Sequence, residues 1–200
     1  NQLRSSRIIG YIKKFHIGYF LSTTFDLVYF KMEKPQMKDL KIIASLTSSE
    51  NDFDFFVGNW KVRNRKLNKR LANCNEWTEF EAKSECRKLL RGFANTDSFY
   101  ATFDGKPFEG MTFRLFNPIT KLWNIYWADS NVVVLDVGQV GSFDDNIGEF
   151  FADDVYDEKP IIVKFHWDKT DPNAPIWSQA FSADEGKTWE WNWYMYFTKN

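Results

Sequence analysis

The side chains able to do chemistry in this 200-residue chain are few and far apart. Arg114 shares a strand face with Thr112 and Phe116, opposite Met111, Phe113 and Leu115. Turned inward, its guanidinium would be a buried cation suited to a ligand carboxylate. Turned outward, it would join a cross-strand ion pair, and the pattern leaves both open. There are 2 histidines. His166 lies between Lys164 and Asp168 on the polar face of its strand, as a surface or rim residue would. No Ser-His-Asp or Cys-His arrangement and no cluster with metal-ligand spacing can be read from the sequence.

Cys74 and Cys86 do not form an obvious pair. In one extended strand, twelve residues at ~3.3 Å each would hold them ~40 Å apart, whereas a disulfide needs Cα atoms within ~7 Å. Two free thiols, one in a loop and one packed as a small apolar residue, suit a reducing compartment and point to the cytoplasm. The net charge of −1 argues against a nucleic-acid binder, although Lys61, Arg63, Arg65, Lys66, Lys69 and Arg70 follow one another with no acid between them. Lys61, Arg63 and Arg65 would share an outer strand face, where Glu79, Glu81 and Glu85 could pair with them. The acidic stretch Asp144 to Glu158 lacks calcium-loop spacing and reads as a solvated face and turn.

The elements that must position these residues are strands. From Trp60 onward, short apolar-polar alternations are separated by turn signals such as Asp104-Gly105-Lys106-Pro107, Asn117-Pro118, Asp144-Asp145-Asn146 and Asp184-Glu185-Gly186. The runs 59–67, 76–90, 93–103, 108–117, 121–129, 131–141, 146–156, 160–169, 175–183 and 187–198 predict about ten strands joined as hairpins. Such a meander closes most naturally into an all-β, antiparallel up-and-down barrel, which removes exposed edges. The alternative is a two-sheet sandwich.

In 76–90, Phe80, Ala82, Ser84 and Cys86 oppose a row of charges. In 121–129, Trp123, Ile125 and Trp127 oppose Tyr126. In the last run, Trp189, Trp191, Trp193, Met195 and Phe197 oppose Glu190, Asn192, Tyr194 and Tyr196. Aromatics on both faces call for an outer cover, from the N-terminal segment or from a second subunit in a homodimer. All 9 tryptophans fall at or after Trp60, more large rings than a small solid core accommodates. A lined cavity would accommodate them, as would a partner surface.

Residues 1–50 read as an N-terminal extension and 51–200 as the barrel domain. A basic start precedes an apolar run, Phe15 to Phe30, which is interrupted by Asp26 and too short for a membrane span. It is either a non-standard export signal or a piece upstream of a natural start at Met32 or Met37. Met37, Leu40, Ile43 and Ala44 have the spacing of a short helix, and Ser49 with Asp52 forms a variant capping box leading into Phe55 and Phe56.

Phe56-Val57-Gly58-Asn59-Trp60 resembles the Gly-x-Trp opening of the calycin superfamily, which holds lipocalins, fatty-acid-binding proteins and nitrobindin-like barrels. Met111 to Trp123 and the closing Phe181-Ser182-x-Asp184-x-Gly186-x-Thr188-Trp189-x-x-Asn192-Trp193 are similar to bacterial lipocalin-like domains, and the likeness spans 53–199. The Thr-Asp-Tyr signature of secreted lipocalins is missing, as is the last-strand arginine that would stack on Trp60, leaving Lys199 as the nearby cation. The resemblance implies a barrel that binds a small, mostly hydrophobic ligand. Phe80, Phe113, Arg114, Tyr126, Trp127, Trp193 and Met195 would be the ligand-binding residues, and Gly58 and Trp60 structural ones. Two further readings stay open. One is an interaction module with a filled barrel. The other is a calycin-type enzyme using Arg114 with Tyr126 or Tyr194. No cofactor is expected, with haem on His166 as the alternative that nitrobindin-like barrels suggest.

Overall fold

The structure is a computed structural model and describes residues 41–200. The expectations about the apolar run, the start at Met32 or Met37 and residues 37–40 of the short helix lie outside these residues. The chain forms ten strands: β1 (Gly58–Leu67), β2 (Trp77–Leu89), β3 (Ala94–Phe103), β4 (Lys106–Asn117), β5 (Leu122–Asp129), β6 (Gln139–Asp144), β7 (Ile147–Tyr156), β8 (Lys159–Asp168), β9 (Ile176–Ser182) and β10 (Glu190–Lys199). Each pairs antiparallel with the next, and β10 returns to β1, so the sheet closes into the expected all-β barrel. Closure satisfies the backbone of what would otherwise be two edge strands. Asp104 and Gly105 illustrate how the turns work. Both have positive φ, 51° and 75°, which bends β3 into β4 within two residues.

One end of the barrel is sealed by the segment that precedes β1. Asp52 accepts the Ser49 amide at 3.0 Å and the Trp123 indole N–H at 3.2 Å, so the capping pair also ties the segment to β5. The turn continues as one 3-10 helix, Asp54–Phe56. Residues 41–45 carry no helix, so the expected N-terminal helical segment reduces to this single turn among the described residues. It drops Phe53 and Phe56 into the barrel, where both are 1% exposed. Trp60 is fully buried, stacks on Phe56 at 5.6 Å and donates its indole N–H to the Phe56 carbonyl at 2.7 Å.

Three lysines clamp this plug. Lys88 pairs with Asp54 at 2.6 Å, and Lys169 donates to the Asp52 carbonyl at 3.0 Å. Lys199 stands 5.5 Å from the Trp60 ring. Residues 45 and 48, on the extension side of the boundary drawn at 50, hydrogen-bond to Ser142, Asp144 and Lys121 of the barrel.

The structure corrects two strand readings. The run 131–141 is β-branched and apolar, which favours a strand by propensity. The strand begins only at Gln139, because Asp129 Oδ1 accepts the amides of Asn131 and Val132 at 2.9 and 3.1 Å and turns the chain out of the sheet. Val133 and Leu135 are left 79% and 59% exposed in that loop.

In β10, the register shifts between Trp191 and Trp193, leaving Asn192 as the extra residue of a bulge. A bulge reverses the alternation beyond it. Trp193, Met195 and Phe197 therefore face the interior, while Trp191 packs outside against His166 and Tyr194. The outer aromatics are covered largely by the chain's own cations. Arg63 lies over Tyr196 and Arg65 over Trp77, each at 4.4 Å, and Lys164 lies over Trp189 at 4.4 Å. Of the expected ion-pair ladder, Arg63 and Glu79 meet at 3.7 Å with both side chains about half exposed, a contact worth little in water.

Candidate functional site

The barrel interior has three levels. Above the plug sits an ion pair. Counting outward from the Asp104-Gly105 turn places Asn95 opposite Arg114 and Asp97 opposite Thr112, all on the inner face of β3 and β4. Arg114 Nη1 donates to Asp97 Oδ1 at 2.5 Å and to Asn95 Oδ1 at 3.0 Å. The side chains of Arg114 and Asp97 are only 4% and 6% exposed. The rings of Phe53, Phe56 and Trp167 surround the guanidinium at 4.9, 5.3 and 5.8 Å. Asp97 Oδ2 accepts the hydroxyls of Ser84 and Thr112, each at the long distance of 3.4 Å. The nearby Cys86 thiol is pushed up to about 12 by burial, with Arg114 opposing and Asp97 adding to the shift.

The middle level is a belt of buried amides. Asn64 Oδ1 accepts the Trp193 indole N–H at 3.0 Å, and Gln179 Nε2 donates to Asn192 Oδ1 at 2.8 Å. Asp129 Oδ2 receives the Trp127 indole N–H at 3.4 Å. Gln139 is 5% exposed, and its Oε1 is buried with no hydrogen-bond partner.

At the far end, Phe80, Phe103 and Phe108 meet edge to face, with centroids 4.8 and 5.3 Å apart. Phe80, Phe108, Trp127, Phe165 and Trp193 pack on the core yet keep part of their surface in solvent, and Phe103 is 39% exposed. Lys66 caps this rim, with Nζ 3.9 Å from the Trp193 ring.

Of the residues expected to line a cavity, Phe80, Arg114, Trp127, Trp193 and Met195 belong to this interior set. Phe113 and Tyr126 do not. They lie directly opposite each other in the β4–β5 register, on the face away from Arg114, because strand alternation turns one set inward only by turning its neighbours out. Tyr194 is also outside, packed on Trp77 and Tyr196. No tyrosine of the proposed enzymatic pair thus joins Arg114.

His166 lies outside as well, beside a shallow groove of about 240 Å³ that it shares with Asp168, Ser178, Trp191 and Tyr194. Its Nδ1 is 3.7 Å from Glu149 Oε1. The proximity of His166, with Lys164 at 3.1 Å, holds the Glu149 carboxyl down to about 2.

Asp97, Asn95, Phe53 and the Asn64–Gln179–Asn192 belt were not singled out from the sequence. Asp97 could have been found from the two-residue turn, which sets the β3–β4 register. Phe53 carries no such signal, since only the packing of the plug brings it under Arg114.

No family model matches this sequence, and none of the curated proteins compared with it is significantly similar. Among solved structures, the S-type phycobiliprotein lyase of Guillardia theta is similar, with a TM-score of 0.54 and 11% identity over 78% of this chain and 94% of that one. At such an identity the likeness is one of fold. No helix among the described residues is long and apolar enough to cross a membrane.

Proposed function

We propose that the barrel binds a small, mostly apolar molecule, entering at the end ringed by Phe80, Phe103, Phe108, Trp127 and Trp193. One observation carries this reading. At the plugged end Phe53, Phe56, Trp60, Trp123 and Phe150 are all at or below 1% exposure, whereas the inward-facing rings at the other end remain partly in solvent. The unplugged end thus presents a cluster of apolar rings to solvent, the kind of exposed apolar surface that marks a binding site. An apolar wall with a few placed polar groups is the usual make-up of a ligand cavity. The Gly58-x-Trp60 opening at the sealed end accords with kinship to lipocalin-like barrels. The similar solved structure is a phycobiliprotein lyase, which accords with small-molecule handling in a barrel of this kind.

Titration of the protein with Nile red, a neutral apolar dye, tests the proposal. Saturable one-to-one uptake is expected, with a blue-shifted emission and quenching of tryptophan fluorescence. Trp193→Ala or Phe80→Ala should change the dye affinity severalfold. No saturable uptake, together with native mass spectra showing only the bare chain, would favour a self-filled barrel.

A further inference from the structure

We propose that the molecule this barrel takes is uncharged, and that Asp97 enforces the preference by holding the guanidinium a carboxylate would need. The inference rests on the binding proposal above and goes beyond it in naming the ligand's charge class. Arg114 is the one buried cation among the described residues, against buried Asp97 and Asp129 in the barrel wall. Asp97 already engages Nη1, Asn95 shares it, and three aromatic rings crowd the guanidinium. An entering carboxylate would lose its water beside the Asp97 carboxylate and a guanidinium which that carboxylate already neutralises. The Cys86 thiol, pushed up to about 12, stays neutral and adds no charge of either sign near physiological pH.

The remaining polar groups are compatible with a neutral partner: Arg114 Nε is a buried donor without an acceptor, and a hydroxyl or carbonyl oxygen can supply one. Asn64, Gln179 and Asn192 are uncharged amides already engaged with Trp193 and with one another. Gln139 Oε1 is a buried acceptor without a donor, on a residue 5% exposed. An alcohol, an amide or a protonated acid brings a donor to it; an ionised carboxylate brings none.

Displacement of Nile red from the full chain by 1-dodecanol, dodecanamide and dodecanoate tests this at constant chain length. At pH 7 the two neutral compounds should bind at least tenfold tighter than dodecanoate. If only the protonated acid binds, the apparent affinity for dodecanoate should rise about tenfold from pH 7 to pH 6, because a carboxyl titrating near ~4–5 gains neutral form in that proportion. Asp97→Asn should release Arg114 and raise dodecanoate affinity at pH 7 at least tenfold, with little change for the alcohol. Should that variant not fold, the pH series on the unmodified chain decides alone. Equal affinities for alcohol and carboxylate, with pH-independent binding of the acid, would overturn the charge preference and leave ligand binding standing. A folded Asp97→Asn that gains nothing for dodecanoate would remove Asp97 from the account. Failure of all three compounds, and of the dye itself, would instead overturn the binding proposal.

Discussion

Replacing Asp97 with alanine removes the counter-charge of a guanidinium that has no access to water. Arg114 would keep only Asn95 as a hydrogen-bond partner at 3.0 Å and would remain within 5.8 Å of three rings. Breaking a buried pair by removing one partner costs about 3–5 kcal/mol. That range applies here because the side chains are 4% and 6% exposed, so solvent cannot screen the orphan. The reverse single change, Arg114→Met, strands Asp97 with two hydroxyls at 3.4 Å, too long to replace the guanidinium, and should cost a similar amount.

The double variant Asp97→Ala/Arg114→Met should lose much less than the sum. The pair is imperfectly satisfied to begin with, since Arg114 Nε is buried and unpartnered. Apolar replacement of such pairs is often close to neutral. Urea unfolding followed by tryptophan fluorescence measures all three. With m about 2 kcal/mol/M, each single change should lower the midpoint by about 2 M. Single changes costing under about 1 kcal/mol, or additive effects in the double variant, would refute the claim that this is a sealed, mutually dependent pair.

Three further outcomes are expected. Cys74 should react with a maleimide in the native chain at pH 8 while Cys86 does not, and denaturant should expose both. The Cys86 thiol has a folded pKa raised to about 12 from 9.0, so the stability it contributes is intact below pH 9 and lost as pH rises toward 12. Glu149 shows the opposite sign. Its pKa is lowered to about 2 from 4.5, so its contribution is present above pH 4.5 and lost as pH falls toward 2. Glu149→Gln should flatten the acid limb of a stability–pH curve in that window, and an unchanged limb would count against the His166–Lys164 contacts. Gly141→Ala should destabilise by about 1–3 kcal/mol in thermal or urea unfolding. A Cβ there would fall 1.9 Å from the Glu149 carbonyl oxygen and 2.7 Å from Phe150 Cα, both backbone atoms that cannot rotate away.

Particular elements show how far local pattern reaches. In β2 the alternation of Phe80, Ala82, Ser84 and Cys86 with charged neighbours reads directly as a half-buried strand, and the structure keeps it unbroken from Trp77 to Leu89. The same reasoning places β10 correctly but misassigns Trp189, Trp191 and Asn192, because one bulge reverses the faces and leaves no mark in composition. The loop after β5 misleads for a different reason. Val132 to Leu135 have strand-like propensity, and a side-chain carboxylate at Asp129 overrides it by capturing two amides.

Short-range chemistry was therefore legible in the sequence alone: most of the strands, the tight turns between them and the Gly58-x-Trp60 opening. These depend on neighbours within a few residues, where side-chain period and backbone preference act directly. The rings around Arg114 were decided by tertiary structure. Asp97, 17 residues away, follows from the hairpin register, but Phe53 and Trp167 reach the guanidinium only because the sheet closes and the preceding segment folds into its end. Barrel closure brings together groups that no local pattern relates. It encloses, beneath the rings of Phe53, Phe56 and Trp167, the ion pair that the β3–β4 hairpin sets.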